Sequence, residues 1–142
     1  MSALADAQPG ALFSGKARTL TWARALTLSG GPLENPGWPA RNLHTDLEAA
    51  RDAGLAEVVV SGTQWEGYLI GLMVELFGTA WFSGGEVDVK IPRSVKIGET
   101  IQPKARLESR EPEGDWLRYR LAVWCENQDG QQVMIGTATC AV

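Results

Sequence analysis

The chain holds one histidine, His44, in the stretch "WPARNLHTDLEAARDAGL" (residues 38–55). It follows a loop rich in Gly, Pro and Asn and precedes a segment with helix signals. An imidazole exchanges protons near neutral pH, so a lone one on a loop is either an acid–base group or a polar residue that caps or solvates. Eighteen residues further on, Gly62 opens a long apolar helix. A glycine at a helix N-terminus lets another molecule come close. The unpaired N–H groups there, together with the helix dipole, favour negative charge.

Other elements must position these two groups. Residues 18–28, "RTLTWARALTL", fit a strand or a helix, and periodicity does not separate the two. Residues 29–42, "SGGPLENPGWPARN", read as a long loop, and long ordered loops in compact domains are often functional. Within it Trp38, beside Gly and Pro, either anchors the loop or covers an apolar substrate. "TDLEAARDAG" predicts a short helix, with Thr45 or Asp46 as cap, acids in the first turn and Gly54 as stop. "AEVVVSG" predicts a short apolar strand. It runs into "TQWEGYLIGLMVELFG", where Trp65, Tyr68, Leu69, Leu72, Met73, Leu76 and Phe77 recur at helical spacing. Ile70 and Val74 extend the apolar surface over most of the girth, so this helix has to be wrapped on several sides. Thr63, with Glu66 three residues on, fits a capping box, and Gly78 fits the stop.

The remainder reads as β. "GEVDVKIP" sets Val87, Val89 and Ile91 against Asp88 and Lys90. "ETIQPKARLESRE" holds a further alternating run. "DWLRYRLAVWCENQDG" sets Leu117, Tyr119, Leu121, Val123 and Cys125 against Trp116, Arg118, Arg120, Ala122 and Trp124. Asp129-Gly130 marks a hairpin turn into "QQVMIGTATCAV". Three strands joined by turns make an antiparallel meander, and one apolar helix precedes them. The economical packing is a curved sheet wrapped around that helix, an α+β arrangement. With 142 residues the chain makes one domain, and its first 16 residues read as a loose arm.

Composition narrows the function. Charged residues make up 21%, hydrophobic residues 44%, and the net charge is −4 with no basic patch, which argues against nucleic acid as a partner. Two cysteines at no metal-like spacing and a single histidine argue against a zinc site, and both cysteines lie in strand-like runs as buried thiols rather than a disulfide. No cofactor is implied. The first 15 residues lack a charged start and an apolar stretch, so they do not read as a secretory signal. No apolar run approaches the ~20 residues of a membrane span. A soluble cytoplasmic protein is the expectation.

The order of loop, His-x-Asp, short helix, apolar strand, Gly and long apolar helix, carried by "NLHTD" and "VVVSGTQWEGYLIGLM", resembles the MaoC-like hydratases and dehydratases. The resemblance covers roughly residues 18–140, and "VKIPRSVKIGETI" fits a segment usual in that family. It implies the hotdog fold, with the sheet wrapping one central helix. It also implies addition or removal of water across the 2,3-double bond of an acyl thioester, usually acyl-CoA and often with (R) stereochemistry. His44 matches the family's motif histidine. Gly62 matches the glycine whose N–H holds the thioester oxygen, with Thr63 beside it, and Asp46 matches a mostly structural acid. An enolate-like oxygen is the kind of charge that a helix N-terminus favours. One lost donor of that type costs on the order of 3 kcal/mol of barrier. Domains of this kind pair their sheets edge to edge, so the resemblance implies at least a homodimer with the site near the interface.

One residue departs from the family pattern. The family places an aspartate five residues before the histidine, and here that position is Pro39, which is neither acid nor base. Four alternatives stand. Glu34 takes the role through an apparent insertion in the loop; Asp46 leans back; Asn42 orients the water without ionising; or hydration is lost. The last opens two rivals. One is isomerisation, cyclisation or elimination on a specialised non-CoA substrate. The other is a non-catalytic acyl-binding module. Arg118 and Arg120 read as a solvated face. Lys90 or Arg93 could meet a CoA phosphate, and nothing in the sequence selects between them.

Overall fold

The computed structural model describes residues 3–142; the first two residues of the expected arm lie outside it. Its centre is the helix α3 (Gly62–Phe77). Trp65, Leu69, Leu72, Met73, Leu76 and Phe77 are buried, at steps of four, three, one, three and one. That spacing lays them along one broad face. Gly78, at φ 62°, ends the helix in a conformation open to glycine. A short 3₁₀ turn and the four-residue helix α4 (Trp81–Gly84) follow. They return the chain to the core, where Phe77 stacks on Trp81 with ring centroids 5.9 Å apart.

One antiparallel sheet wraps this helix. Its strands are β1 (Leu12–Ser14), β3 (Gly85–Lys90), β4 (Thr100–Glu113), β5 (Trp116–Glu126) and β6 (Gln132–Ala141), in the order β1-β4-β5-β6-β3. The two-residue β2 (Arg18–Thr19) also pairs with β4. Alternate residues face α3: Ile101, Pro103, Ala105 and Leu107 on β4, and Tyr119, Leu121, Val123 and Cys125 on β5 are all buried. This alternation puts apolar side chains inward and Lys104, Arg106, Arg118 and Arg120 outward. Leu117, one rung before the buried run, is exposed at the sheet's end. Gly136 lies where β6 comes closest to β3; a Cβ there would collide with the Asp88 carbonyl. The meander, the turn at Asp129-Gly130 and the two buried free thiols, Cys125 and Cys140, are as the sequence predicts. A helix wrapped by an antiparallel sheet is the hotdog arrangement.

Four expectations need correction or completion. The N-terminal segment is docked rather than loose. Leu4 is buried, Gly10 donates to the Leu107 carbonyl (2.7 Å), Leu107 donates to Ala11 (2.9 Å), and β1 adds to the sheet edge. Residues 18–28 contain both candidate elements, β2 and then the helix α1 (Trp22–Ser29), whose cap Thr21 takes the Arg24 N–H. "AEVVVSG" forms only one bridge, Val59 to Lys96, and Val60 N–H donates to Val95 (2.8 Å). Val58 and Val60 are buried, but the partner segment is a loop, so no ladder extends. Thr63 is not the cap of α3. That position is Ser61, and Thr63 lies inside the first turn. The short helix α2 (Leu47–Asp52) has Asp46 as its cap, one of the two residues that the sequence allows.

Candidate active site

His44 sits at the end of the loop that enters α2, and that loop is closed by its own polar groups. The Asn42 side chain donates to the Ser29 carbonyl (2.9 Å) and accepts the His44 backbone N–H (2.9 Å). The Thr45 hydroxyl donates to the Ala40 carbonyl (2.7 Å) and accepts the Asn42 N–H (2.9 Å). Trp38 donates its indole N–H to the Gly31 carbonyl (3.1 Å) and packs on Gly30, tying the loop to its own start. These bonds use groups that a bare turn would leave to water, and they fix the backbone of residue 44.

The imidazole itself is held from the other side. Nδ1 lies 2.7 Å from the Val59 carbonyl oxygen. A carbonyl only accepts, so Nδ1 carries a proton, and in the neutral ring Nε2 is the nitrogen with the lone pair. Val59 is three residues upstream of α3 and is pinned by its bridge to Lys96. The segment that orients the histidine is therefore the one that delivers Gly62.

At the start of α3 the Ser61 hydroxyl pairs with the Thr63 hydroxyl (2.8 Å) and does not cap the helix. The Gln64 N–H donates to the Ser61 carbonyl (2.9 Å). The N–H groups of Gly62 and Thr63 take no acceptor among the described residues, and the first turn carries no acid. They are two of the orphan donors that every helix leaves at its N-terminus. A side chain on Gly62 would meet the tip of the exposed Ile91 side chain, which would have to swing aside.

No carboxylate hydrogen-bonds to the imidazole among the described residues. The Asp46 carboxylate accepts the Ala49 N–H (2.8 Å) and the Arg41 guanidinium (3.0 Å), and these bonds, the first above all, hold its pKa below the usual range. Arg41 also reaches Glu48 (2.8 Å), which makes a small acidic-basic cluster at the start of α2. Glu34 and Pro39 are exposed on the loop. Both ends of the Asn42 amide are engaged in loop closure. Arg93 lines a polar cleft of about 550 Å³ beyond the Val59 bridge, shared with Lys96 and Glu99. Lys90 is exposed at the end of β3. The structure thus brings His44, Gly62 and Thr63 to one end of α3 and leaves Glu34 out in the loop. Sequence reasoning did not single out the Val59 carbonyl, Ser61 or Gln64. A backbone acceptor has no residue-type signature; Ser61, standing directly before the helix glycine, had one.

Fold and site together define a hotdog domain with a histidine and helix-terminal donors at one end. The chain matches no protein-family model, and no curated protein sequence matches it. Solved structures do match. The MaoC-like dehydratase from Rhodospirillum rubrum aligns with a TM-score of 0.74 and 20% identity, over 98% of this chain and 94% of that one. The (R)-hydratase PhaJ1 from Pseudomonas aeruginosa gives 0.73 and 17%, over 96% and 83%. The 3R-hydroxyacyl-ACP dehydratase complex HadBC from Mycobacterium tuberculosis gives 0.68 and 14%, over 94% and 96%. At these identities the likeness establishes the fold. Among the described residues no helix is long and apolar enough to cross a membrane.

Proposed function

We propose that the chain is a hydro-lyase that interconverts a 3-hydroxyacyl thioester and the 2-enoyl thioester. The observation that carries this is the His44–Val59 bond. It gives the neutral imidazole one tautomer, with Nε2 as the base, and ties the ring to the segment that opens into the two unpaired N–H groups of α3. The hydratases and dehydratases of the same fold support the reaction class.

In the dehydrating direction, His44 Nε2 takes the proton from C2. The electron pair moves toward the thioester carbonyl, whose oxygen gains negative charge facing the Gly62 and Thr63 N–H groups. The pair then returns to form the C2=C3 bond as the C3–O bond breaks. The imidazolium gives its proton to the departing hydroxyl, which leaves as water. Pro39 stands where a second acid–base group would be, so one imidazole serves both proton transfers. Hydroxyl and proton must then leave from the same face of the substrate. We place the active form as a homodimer in which the outer edge of β3 pairs with its copy, because a six-residue edge strand leaves a row of backbone groups unpaired.

Purified protein is mixed with crotonyl-CoA and longer 2-enoyl-CoAs, and loss of the conjugated-thioester absorbance is followed. His44→Ala should lower kcat by roughly 10²–10⁴-fold in protein that stays folded by circular dichroism. Absence of turnover at every chain length, by protein that is folded, sinks the assignment. The missing carboxylate favours one alternative, elimination or isomerisation on a substrate that is not a CoA thioester. It is recognised by His44-dependent activity on that substrate and none on enoyl-CoAs.

A further inference from the structure

Between Asp6 and Glu34 the only charged residues are Lys16, Arg18 and Arg24. This stretch carries +3 in a chain of net charge −4, so the remaining residues carry −7. Separated by uncharged residues, the three cations do not read as a basic patch in the sequence. The fold sets them in a row beside α3. Arg24, on α1, lines a groove with Leu28 and Gln64. Its guanidinium donates to the carbonyl of Thr19 (2.8 Å), the neighbour of Arg18. The Arg18 guanidinium lies over the Tyr68 ring, 5.4 Å from its centroid. Lys16 and Arg18 line a second cleft with Gly67, Gly71 and Glu75. The row therefore starts at the end of α3 that holds Gly62 and Thr63 and follows the helix for roughly 15 Å, about one turn between cations.

No carboxylate neutralises the row. Arg41, Lys96, Lys104, Arg106, Arg118 and Arg120 each have a carboxylate within 4.0 Å. Lys16, Arg18 and Arg24 have none among the described residues, and Glu75, at the far end, pairs with neither of its neighbours there. The helix beside the row is also bare. A Cβ on Gly67 or Gly71 would meet nothing within 4 Å, so the chain's own packing does not call for glycine at either position. A helix interior favours alanine there, whereas a surface that another backbone approaches closely favours glycine.

We infer that this row docks an acidic helix of the protein that delivers the substrate, so that the acyl thioester arrives on an acidic carrier protein. This rests on the thioester reading of the site. Carboxylates one turn apart on a partner helix match the spacing of the cations, and Gly67 and Gly71 leave room for its backbone. The phosphates of CoA would call for charge gathered at one point, and here it is spread along the helix. CoA thioesters are then slower substrates of the same site, because they forgo the attraction that speeds encounter.

The test compares crotonyl groups carried on a freestanding acyl carrier protein of fatty-acid synthesis, on CoA and on pantetheine. The enzymes are the wild type, Lys16→Glu/Arg24→Glu and the charge-keeping Lys16→Arg/Arg24→Lys; both positions are exposed. The pantetheine thioester has neither protein nor phosphate, so it reports the site alone. The wild-type kcat/KM for the carrier, divided by that for pantetheine, should fall at least about tenfold in Lys16→Glu/Arg24→Glu, chiefly through KM, and should hold in the charge-keeping variant. Raising salt from about 0.03 to about 0.3 M should remove most of the wild-type advantage. A ratio that is the same in all three proteins overturns the inference and leaves the hydro-lyase reading standing. A loss as large for crotonyl-CoA as for the carrier also overturns it, since the cations then meet CoA phosphates. No turnover of any of the three thioesters overturns both.

Discussion

At the scale of single residues, two kinds of titratable side chain have opposite fates in this fold. His44 keeps one nitrogen open for chemistry because a backbone carbonyl takes the other. The two cysteines are closed off. Burial pushes the Cys125 thiol up to about 12 and raises Cys140 as well, and both side chains are fully covered by the sheet and α3. The thiolate is the reactive form, so neither cysteine should react with a disulfide reagent such as DTNB in the native protein at pH 8. Two thiols per chain should appear once denaturant is added. Rapid labelling of one thiol without denaturant contradicts this packing. The residues that could do chemistry were legible to different degrees. His44 and Gly62 stood out because a unique imidazole and a glycine before an apolar run are visible as letters. The Val59 carbonyl was not, since every residue carries one. That Lys16, Arg18 and Arg24 line up beside α3 becomes visible only when they are placed in space.

At the scale of elements, periodicity revealed what is long and missed what is short. α3 and the three meander strands repeat their pattern often enough to declare a period. β2 and α1 share twelve residues, 18–29, and each contributes too few positions to settle between them. The valines of "AEVVVSG" read as a strand because they make a short apolar β-branched run, yet pairing needs a partner strand, and residues 92–96 make only one bridge to them. Capping was legible where a side chain does it, as at Asp46. At α3 it was misplaced, because the Ser61 hydroxyl turns to Thr63 instead of the backbone. The Asp46 cap carries a pH signature. Its carboxylate has a lowered pKa from the Ala49 N–H first and Arg41 second. A group depressed in the folded state stabilises above its unfolded pKa, and that contribution is lost as pH falls through the folded value. Asp46→Asn keeps a cap acceptor and removes the charge. The variant should melt below the wild type at pH 7, and the gap should close as pH falls below about 4. Melting curves from pH 7 to pH 2.5 read this directly; a gap that stays constant with pH assigns the effect to something other than the charge.

At the scale of the whole molecule, the N-terminal segment is where local reading and global structure part. Residues 3–16 are small and polar enough to suggest an arm, and nothing in their own pattern contradicts that. What orders them lies about a hundred residues further along the chain. Gly10 donates to Leu107, Leu107 donates to Ala11, Phe13 aligns with Ala105, and the Arg110 guanidinium donates to the Ala5 carbonyl (2.9 Å). Leu4 is 3% exposed and belongs to the same core cluster as Leu69 and Met73. A segment that closes one side of the α3 core through both apolar burial and strand addition belongs to the cooperative unit. Truncating Leu4 should then cost global stability. Leu4→Ala should lower the unfolding free energy by about 2 kcal/mol, at the low end of buried-leucine truncations. Urea denaturation followed by tryptophan fluorescence and by circular dichroism should show one shifted midpoint with an unchanged slope. Hydrogen exchange supplies the independent check. The Leu107 amide, bonded only through the arm, should be protected in the wild type to nearly the same degree as the amides within the β4–β5 ladder. If Leu107 exchanges far faster than its β4 neighbours and Leu4→Ala leaves the midpoint in place, the segment unfolds on its own and the core is complete without it.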